Sequence, residues 1–551
     1  MLRRFTSLLL FSLLLCAGFL AAAPAQEASA ATYTVTNSNS DGAGSLRQAI
    51  LDANSHPGRD YIHFAIPTSD PGYSSAEGVW YIGLTLTLPM LEDPDGVVIN
   101  GDTQPGSNPN LPGIIIQHTG VPVGVPIITM WSSNNIVEYL GLFSSAGDGV
   151  KIEGGNNMLL SNQIFISDGY GVRLLAGAED NLIRSNKICG HALGGIHLQS
   201  ANNNVIFDNE VGVQPAFRPG VGRNLGNGIS LVQSDKNTIE RNVISDNTQN
   251  GLFLSASKGN NIVKNTIGLD PSRTEVLGND RFGVLLEQSS DNLLYNNWVS
   301  GNVKDGIRLT GEDTSGNLLQ RNMVGSSYSG PAPNGQHGIG LYNGAHNNEI
   351  GSRSNPDHVN EVQSNGWSGI VVVNSPLGSN YIGLNHIFSN GYYGIHINNS
   401  PSNTIYSNTI EGNGQTQTSA GVRIEKSSGD GTADFNYIWL NQIRNNTGKG
   451  IQLVGGANEG IAAPVISSAS CTKVSGTACP NCYVQIFSDE DDEGWILETF
   501  LMASSSGAFS FSAHLTGPHI TAVAVNSSGS SSEFSLPAYG CVRNWLPILM
   551  K

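Results

Sequence analysis

The chain repeats one short pattern along most of its length: an apolar residue, an asparagine three positions later, and a second apolar residue two positions after the asparagine. The stretch NTIERNVISDN shows this pattern with Ile239, Asn242 and Ile244. Copies follow one another at intervals of roughly 22 to 33 residues, the period of proteins built from small stacked units. The pattern therefore predicts an elongated array in which each copy forms one turn.

Alignment of the copies on the asparagine gives three columns. The first apolar column contains Leu159, Ile183, Ile206, Ile239, Ile262, Leu294, Leu319, Ile382, Ile405 and Ile438. The asparagine column contains Asn162, Asn186, Asn209, Asn242, Asn265, Asn297, Asn322, Asn385, Asn408 and Asn441. The second apolar column contains Ile164, Ile188, Val211, Ile244, Ile267, Val299, Val324, Ile387, Ile410 and Ile443.

The spacing within each copy is typical of β-strands. Apolar residues lie two positions apart, and the 3.6-residue period of helices is absent. The leucine spacing of leucine-rich repeats is absent too. We therefore predict a coil of short parallel strands with β-branched residues stacked inside it. Asparagine suits a tight bend, because it tolerates the left-handed conformation and can hydrogen-bond the asparagine of the next coil.

With these columns the chain resembles the right-handed parallel β-helix proteins of the pectate-lyase-like superfamily. The resemblance covers residues 32–460, and stretches such as NTIGLDPSRTEVLGNDRFGVLL are similar to the long turns of secreted bacterial members. It implies an all-β fold, a right-handed parallel β-helix solenoid. That superfamily contains lyases, hydrolases, epimerases, adhesins and non-enzymes, so the resemblance does not choose a function.

The first 30 residues differ from the repeats. MLRRFTSLLLFSLLLCAGFL places two arginines before an apolar run, and small residues follow, which predicts a secretory signal peptide at residues 1–30. A lipoprotein anchor at Cys16 is the alternative, although Leu15 fits that motif poorly. No later run approaches the roughly 18 apolar residues of a membrane helix. We expect a secreted or cell-surface protein without a transmembrane segment.

The predicted β-helix spans residues 31–460, and a short helix should cap its N-terminal end. Ser45 and Gln48 form a capping-box pair. Leu46 and Ile50 share one face of the helix that follows. Such a cap would cover a strand edge that otherwise invites aggregation.

Beyond the repeats, residues 461–551 read as a separate C-terminal β-sandwich. Alternating apolar segments are divided by glycine, serine and aspartate turns. The region is similar to bacterial immunoglobulin-like modules that follow repeats in secreted proteins. The closing NWLPILMK is a short apolar tail, which we interpret as a last strand or a sorting tag.

Four of the six cysteines lie in the C-terminal region. In an exported chain, Cys471, Cys479, Cys482 and Cys541 suggest up to two disulfides. A redox pair or half of a zinc site at Cys479 and Cys482 are the alternatives. Cys189 follows a core position and is interpreted as a small buried residue.

Charge and motifs limit the partners. The chain has 27 Lys+Arg against 44 Asp+Glu, a net charge of -17, which argues against a nucleic-acid partner.

Asp489, Asp491 and Glu493 imitate the start of a calcium loop, but Phe500 stands where the closing glutamate belongs. We interpret the stretch as an exposed acidic hairpin turn and expect no metal or other cofactor, with calcium as the alternative.

A recurring Gly-[Ile/Val/Leu]-x-[Leu/Ile/Val] segment marks another strand, whose x residue should point outward. That column contains Lys151, Arg173, His197, Ser230, Phe253, Leu285, Arg308, Gly340, Val371, His396, Arg423 and Gln452. Neighbouring coils lie about 4.8 Å apart, so the column forms a ladder of outward side chains.

The ladder contains two basic clusters that could hold an acidic sugar chain. Lys151, Arg173 and His197 form the first, in which His197 is expected to titrate near neutral pH. His396 and Arg423 form the second. Ordinary solvated surface charge is the alternative interpretation of both.

Aromatic residues could add a stacking surface for sugars. Tyr406 and Trp439 each follow a core isoleucine and should point outward on neighbouring coils.

The sequence thus predicts an exported protein that binds polysaccharide or surface glycan. A polysaccharide lyase or related enzyme acting on acidic glycans is one alternative, and a structural surface protein or adhesin is another. No catalytic residue can be named, because paired-aspartate and Asp-Pro-His signatures are absent, and the oligomeric state is not predicted.

Overall fold

The computed structural model describes residues 29–214, 220–417, 419–427 and 431–540. The repeats form three long sheets, which we call A, B and C, and from Val97 onward each coil passes through them in that order. Apart from the first pair in sheet B, their strands are parallel. The predicted right-handed parallel β-helix is confirmed. Most of the predicted signal peptide lies outside the described residues.

Sheets A and B meet at a short bend, which we call the A–B corner. The fifteen strands of sheet A are Thr32–Val35, Asp60–Phe64, Val97–Asn100, Ile136–Glu138, Met158–Leu160, Leu182–Arg184, Val205–Phe207, Thr238–Glu240, Asn261–Val263, Leu293–Tyr295, Leu318–Gln320, Glu349–Gly351, Tyr381–Gly383, Thr404–Tyr406 and Tyr437–Trp439. The fifteen strands of sheet B are Tyr73–Ser74, Val79–Leu84, Ile114–His118, Leu140–Ser145, Gln163–Ser167, Lys187–Cys189, Glu210–Val211, Val243–Ile244, Thr266–Ile267, Trp298–Val299, Met323–Val324, Glu361–Gln363, His386–Phe388, Thr409–Glu411 and Gln442–Arg444.

Sheet C contains the Gly-[Ile/Val/Leu]-x-[Leu/Ile/Val] segments. Its thirteen strands are Ile128–Met130, Val150–Ile152, Tyr170–Leu174, Gly194–Gln199, Asn227–Val232, Leu252–Ser255, Val284–Glu287, Ile307–Thr310, Ile339–Tyr342, Ile370–Val373, Ile395–Asn398, Val422–Glu425 and Ile451–Val454. A small hairpin, Ser326–Ser327 with Gly330–Pro331, projects from one turn. Single 3-10 turns occur at Gly101–Thr103, Pro356–His358 and Asn458–Gly460.

One apolar core runs through the coils. Ile183, Ile206, Ile239 and Ile262 pair in register on successive strands of sheet A, and all four are fully buried. Each fully buried side chain of this size stabilises the fold by about 1.5 to 3 kcal/mol. The repetition of one inward column therefore supplies the main stabilisation of the coil stack.

The N-terminal helix is Leu46–Ser55, as predicted. The Ser45 hydroxyl accepts a hydrogen bond from the Gln48 backbone N–H at 3.2 Å. The Gln48 side chain donates to Asp52 instead of returning to the cap, so half of the capping box forms. Leu46 and Ile50 enter the main core and cover its N-terminal end.

The asparagine column forms a buried hydrogen-bond ladder. The Asn242 side-chain amide donates to the Ile206 carbonyl at 2.8 Å and to the Asn265 side-chain oxygen at 3.1 Å. The expectation that the asparagine itself takes the left-handed conformation of the bend is wrong. That conformation belongs to its neighbour Arg241, with φ 60°. Asparagine is needed here because its amide satisfies buried backbone groups of two coils at once.

Two further asparagine ladders, which the sequence alignment missed, lie before sheet A and before sheet C. The asparagine column of the alignment forms a ladder at the A–B corner, and that ladder contains one more asparagine than the alignment found. The A–B corner ladder also includes Asn360, which the alignment skipped. The ladder before sheet A contains Asn135, Asn157, Asn181, Asn204, Asn237, Asn260, Asn292, Asn317, Asn348, Asn380, Asn403, Asn436 and Asn458. The ladder before sheet C contains Asn224, Asn247, Asn279, Asn302, Asn334, Asn365, Asn390, Asn413 and Asn446.

The C-terminal region is a two-sheet sandwich, as predicted. One sheet contains Val465–Ser470, Lys473–Thr477 and Ala508–Phe511, and the other contains Tyr483–Asp489, Ile496–Met502, His519–Val525 and Ala538–Tyr539. Val474, Val484, Phe509 and Ile520 belong to the small core between the two sheets. The immunoglobulin-like assignment stays a prediction.

The sandwich also closes the C-terminal end of the β-helix. Phe487 and Val523 belong to the main core of the coils. The Gln485 side chain accepts a hydrogen bond from the Leu440 N–H at 2.8 Å and donates to the Ile438 carbonyl at 3.1 Å. Its amide therefore replaces a further asparagine rung at the Ile438 carbonyl, and its oxygen replaces a carbonyl of the next coil at the Leu440 N–H.

The two other ladders also end on the sandwich. The Asn458 side-chain amide donates to the Ser531 carbonyl at 2.9 Å. The Glu493 carboxylate accepts from the Asn446 backbone N–H at 3.1 Å. The expectation of an exposed acidic turn is wrong for Asp489, which is 6% exposed, and for Glu493, which is only 5% exposed. Glu493 is buried because it takes the place of the next rung.

Two of the predicted cysteine roles are confirmed. Cys479 and Cys482 form a disulfide. Cys189 is free and buried, and burial raises the pKa of its thiol to about 12. Cys471 is also disulfide-bonded, and Cys541 lies outside the described residues.

In the part of the chain that the structure describes, no helix is long and apolar enough to cross a membrane.

The first prediction concerns the ladder. Asn265→Ala should lower the free energy of unfolding by about 3 kcal/mol, because it removes the amide that donates to the buried Ile239 carbonyl and the oxygen that accepts from the Asn242 backbone N–H. Asn261→Ala is the matched control, since Asn261 is exposed in the same coil. Thermal or denaturant unfolding measures both. Equal stability of the two variants would refute the structural role of the ladder.

The second prediction concerns the closing rung. Burial, together with the nearby Asp491 and Asp489, raises the pKa of Glu493 from its ordinary 4.5 to about 8. A folded-state pKa above the unfolded value means that this contribution to stability is complete below the unfolded pKa and is lost as pH rises through the folded one. The melting temperature should therefore fall between about pH 5 and 8, and Glu493→Gln should remove most of that fall. An unchanged pH profile in the glutamine variant would contradict this role.

Candidate functional site

The outward column of sheet C has the predicted register. Lys151 lies opposite Arg173, which lies opposite His197. Further along the same sheet, His396 lies opposite Arg423. The coil geometry therefore brings each predicted basic cluster together on one face.

In the first cluster, Lys151, Arg173 and His197 are largely occupied by neighbours. Lys151 forms an ion pair with Glu153. The His197 ring stacks on Tyr170 at 4.5 Å, and its Nδ1 lies 2.8 Å from the Ser230 hydroxyl. Burial and the charge of Arg173 lower the pKa of His197 to about 4. The expected titration of His197 near neutral pH is therefore wrong.

The second cluster is a connected polar network. The Arg423 Nε donates to the Glu425 carboxylate at 2.9 Å, and its Nη1 donates to Gln452 at 2.8 Å. His396 Nε2 lies 3.3 Å from the same carboxylate. The Arg423 hydrogen bond lowers the pKa of Glu425, while burial lowers the pKa of His396. Near neutral pH the network therefore contains an ionised glutamate, an arginine and a neutral histidine.

Three coils before His396, the same face contains a buried acid that the sequence analysis did not single out. Asp305 is fully buried and lies 3.4 Å from the Arg308 guanidinium. The Tyr342 side chain hydrogen-bonds Asp305, and its ring lies 3.8 Å from the Arg308 guanidinium carbon. Burial raises the pKa of both Asp305 and Tyr342. Tyr342 therefore remains a protonated hydrogen-bond donor.

The Tyr342 ring can reach Asp305 because Gly340 leaves room for it. A β-carbon added at Gly340 would lie 2.3 Å from a Tyr342 ring carbon. Gly340 was visible in the sequence as a glycine in the outward column, but its role depends on the rotamer of Tyr342. Sequence alone gives no information about that rotamer.

Aromatic rings border this face at equivalent positions of consecutive coils. The Tyr392 N–H donates to the Trp367 carbonyl at 2.9 Å. Their rings are parallel within 1°, with centroids 6.2 Å apart. Trp367 is 39% exposed. Tyr393 packs between His396 and Arg423, with its ring 5.0 Å from the His396 ring and 5.4 Å from the Arg423 guanidinium carbon.

His337 connects the buried acid to the aromatic rings. Its backbone N–H donates to Asp305 at 3.1 Å, and its ring meets Trp367 edge-on at 5.1 Å. Nδ1 accepts from the Ser368 N–H at 3.3 Å, which leaves the proton of the neutral ring on Nε2. Burial lowers the pKa of His337 to about 3. The ring is therefore a neutral hydrogen-bond donor.

We call this set of neighbouring groups the sheet C patch. It contains Asp305, Arg308, His337, Tyr342, Trp367, Tyr392, Tyr393, His396, Arg423 and Glu425. Its outward part lies on four of five successive strands of sheet C, and Trp367 precedes the remaining strand, Ile370–Val373. Because each coil is fixed to the next by the ladders, the patch is rigid and its groups lie in register along the axis of the β-helix.

The predicted aromatic pair lies on a different face. Tyr406 and Trp439 are paired in register on sheet A. Trp439 is only 9% exposed, since Tyr483 and Phe500 of the sandwich pack against its ring at 6.0 and 5.3 Å. The sandwich thus covers Trp439, one of the two residues of the predicted pair.

Comparison with known proteins agrees with the architecture. A family model for the right-handed β-helix region matches residues 96–269. The chain carries a right-handed β-helix region. A model for the periplasmic copper-binding protein NosD matches residues 221–368 and 271–437. Curated proteins give no match.

Solved structures with a similar arrangement share little sequence with this chain. The periplasmic alginate epimerase AlgG is 14% identical, with a TM-score of 0.40, over 70% of this chain and 83% of that one. The Dettilon tailspike protein is 14% identical, with a TM-score of 0.39, over 90% and 78%. The A-module of the mannuronan C-5 epimerase AlgE4 from Azotobacter vinelandii is 15% identical, with a TM-score of 0.32, over 76% and 91%.

The third prediction tests the geometry of the patch. Gly340→Ala should expel the Tyr342 ring from its place beside Asp305, because the new methyl group would overlap the ring. A crystal structure of the variant would report the displaced ring. Gly330→Ala is the control for insertion of a methyl group, since a β-carbon added there would have nothing within 4 Å, although the φ of 123° adds local strain. An undisturbed Tyr342 ring in Gly340→Ala would show that the glycine is not required.

Proposed function

We propose that the protein binds a polysaccharide chain along the sheet C patch, as an exported protein and without catalysing its cleavage. The observation that carries this proposal is the parallel pair of Trp367 and Tyr392, which lies beside the network of Tyr393, His396 and Arg423. Sugar rings stack on aromatic faces through their C–H groups, while their hydroxyls need donors and acceptors at fixed positions.

The direction of the patch fits a linear polymer. Its groups lie along successive coils about 4.8 Å apart, with Trp367 and Tyr392 at equivalent positions of two consecutive coils. A chain lying along this axis would meet the two parallel rings and the polar groups one after another. The rigid backbone beneath the patch reduces the ordering cost that binding must overcome.

Ion pairing favours an uncharged or weakly charged glycan at this patch. Arg308 is paired with Asp305, and Arg423 is paired with Glu425. A uronate carboxylate would therefore meet arginines whose charge is already balanced. A lyase would further need a base. The raised pKa of Tyr342 makes its hydroxyl a poor one, and Nε2 of the neutral His396 already faces the Glu425 carboxylate. The acidic-glycan lyase is thus less favoured than binding.

The name of the NosD family points to a second function, copper binding. A copper site needs several histidine, cysteine, methionine or carboxylate ligands in one place. In the described ranges, no group of three or more His, Cys, Asp or Glu side chains could hold a metal ion. We therefore do not propose a metal site.

The fourth prediction tests the glycan site. Trp367→Ala with Tyr392→Ala should weaken binding to the polysaccharide that the wild type retains by about 1 kcal/mol per ring, because each ring loses its stacking contact. Isothermal titration or affinity electrophoresis measures the change on a panel of neutral and acidic glycans.

The matched control is Trp131→Ala with Tyr139→Ala, which removes two exposed rings elsewhere. Equal binding by the patch variant and the wild type would refute the assignment. No binding to any glycan of the panel would favour a structural surface role. Release of unsaturated uronate, followed by ultraviolet absorbance, would instead establish a lyase.

A further inference from the structure

A second groove lies at the A–B corner, on the side of the β-helix that faces away from sheet C. Its volume is about 570 Å³, within the usual range for ligand sites. Val243 and Thr266 form its floor on sheet B. Four cationic side chains and two carboxylates line it, although the whole chain has a net charge of -17. The groove is thus a local concentration of positive charge on an acidic protein.

The corner supplies one wall of the groove. Arg241 and Lys264 occupy the left-handed position of the bend in consecutive coils, with φ 60° and 56°. Each precedes a ladder asparagine, so the hydrogen bonds beneath hold both backbones in place. Both side chains are exposed, and the coil spacing separates their backbones by about 4.8 Å. Two cations are therefore presented in a fixed row.

A long turn supplies the opposite wall. A bridge between Leu269 and Val276 folds the turn back on itself, and Arg273 lies at its tip. The Arg273 Nε donates to the Thr266 hydroxyl at 2.9 Å, and its guanidinium carbon lies 5.3 Å from the Trp298 ring. The hairpin that carries Tyr328 supports the turn, since the Tyr328 N–H donates to the Arg273 carbonyl at 2.9 Å. The third cation is thus positioned by three separate contacts.

Two of these cations keep their charge available. Lys187 is paired with Glu210 at 3.4 Å, and Lys264 with Glu240 at 3.3 Å. Arg241 and Arg273, in contrast, form no ion pair with a carboxylate among the described residues. Arg241 instead lies 5.7 Å from the face of Phe207. This separates the groove from the sheet C patch, where both arginines are ion-paired.

We infer that the A–B corner groove binds the acid groups of an anionic oligosaccharide, carboxylates or sulfates. Its guanidinium groups can hold such groups through paired N–H donors. The rings of Phe207 and Trp298 lie beneath the guanidinium groups of Arg241 and Arg273 and support their positions. The site is separate from the proposed sheet C site, so loss of one does not imply loss of the other.

The experiment measures binding of the full chain to fluorescent oligogalacturonate and to a fluorescent sulfated oligosaccharide at low salt. Arg241→Gln with Arg273→Gln should weaken binding about tenfold, since two charge contacts are lost. The loss should shrink as salt is raised. The two probes distinguish carboxylate from sulfate recognition.

The matched control is Lys236→Gln with Lys258→Gln. It removes the same charge from exposed positions of the neighbouring turn, and Lys236 has the same left-handed backbone as Arg241. The control should bind like the wild type. Equal losses in both double variants would mean non-specific attraction and would overturn the inference, as would unchanged affinity in Arg241→Gln with Arg273→Gln or no wild-type binding. Trp367→Ala with Tyr392→Ala should leave binding of these probes intact, which separates this test from that of the sheet C patch.

Discussion

The hydrogen bond from one asparagine side chain to the next is the interaction on which the whole molecule depends. Each bend of a coil buries backbone groups that no strand can satisfy, and one amide such as Asn242 serves groups of two coils. Three such ladders run side by side, so neighbouring coils are fixed at three places. This fixation turns the surface residues of successive coils into straight rows, and both candidate binding sites are made from such rows.

A ladder must end, and the C-terminal sandwich provides the ends. Gln485, Glu493 and Ser531 each offer the polar group that a further coil would have provided. The sandwich also covers the last apolar layer with Phe487. Contact with the sandwich therefore stabilises the β-helix, although the sandwich also has a core of its own. The buried carboxylate of Glu493 makes this closure sensitive to a rise in pH.

Much of the fold followed from the sequence, because strand periodicity and one asparagine column are local signals. The register of sheet C was predictable for the same reason, including the opposition of His396 and Arg423. The remaining parts depend on contacts between distant residues. The burial of Glu493 requires the sandwich to meet the last coil, and the place of Tyr342 beside Asp305 requires a rotamer. The charge available on Arg241 depends on which carboxylates lie nearby in space, and a sequence does not report that.

Two faces of one rigid coil carry different chemistry: aromatic rings with balanced charges on sheet C, and unbalanced arginines at the A–B corner. The most direct measurement is a crystal structure of the full chain with a bound neutral oligosaccharide. Sugar rings are predicted to lie against Trp367 and Tyr392, with hydroxyls hydrogen-bonded to the network of His396 and Arg423. A sugar bound elsewhere on the coil, with the sheet C patch in contact with solvent alone, would contradict this assignment.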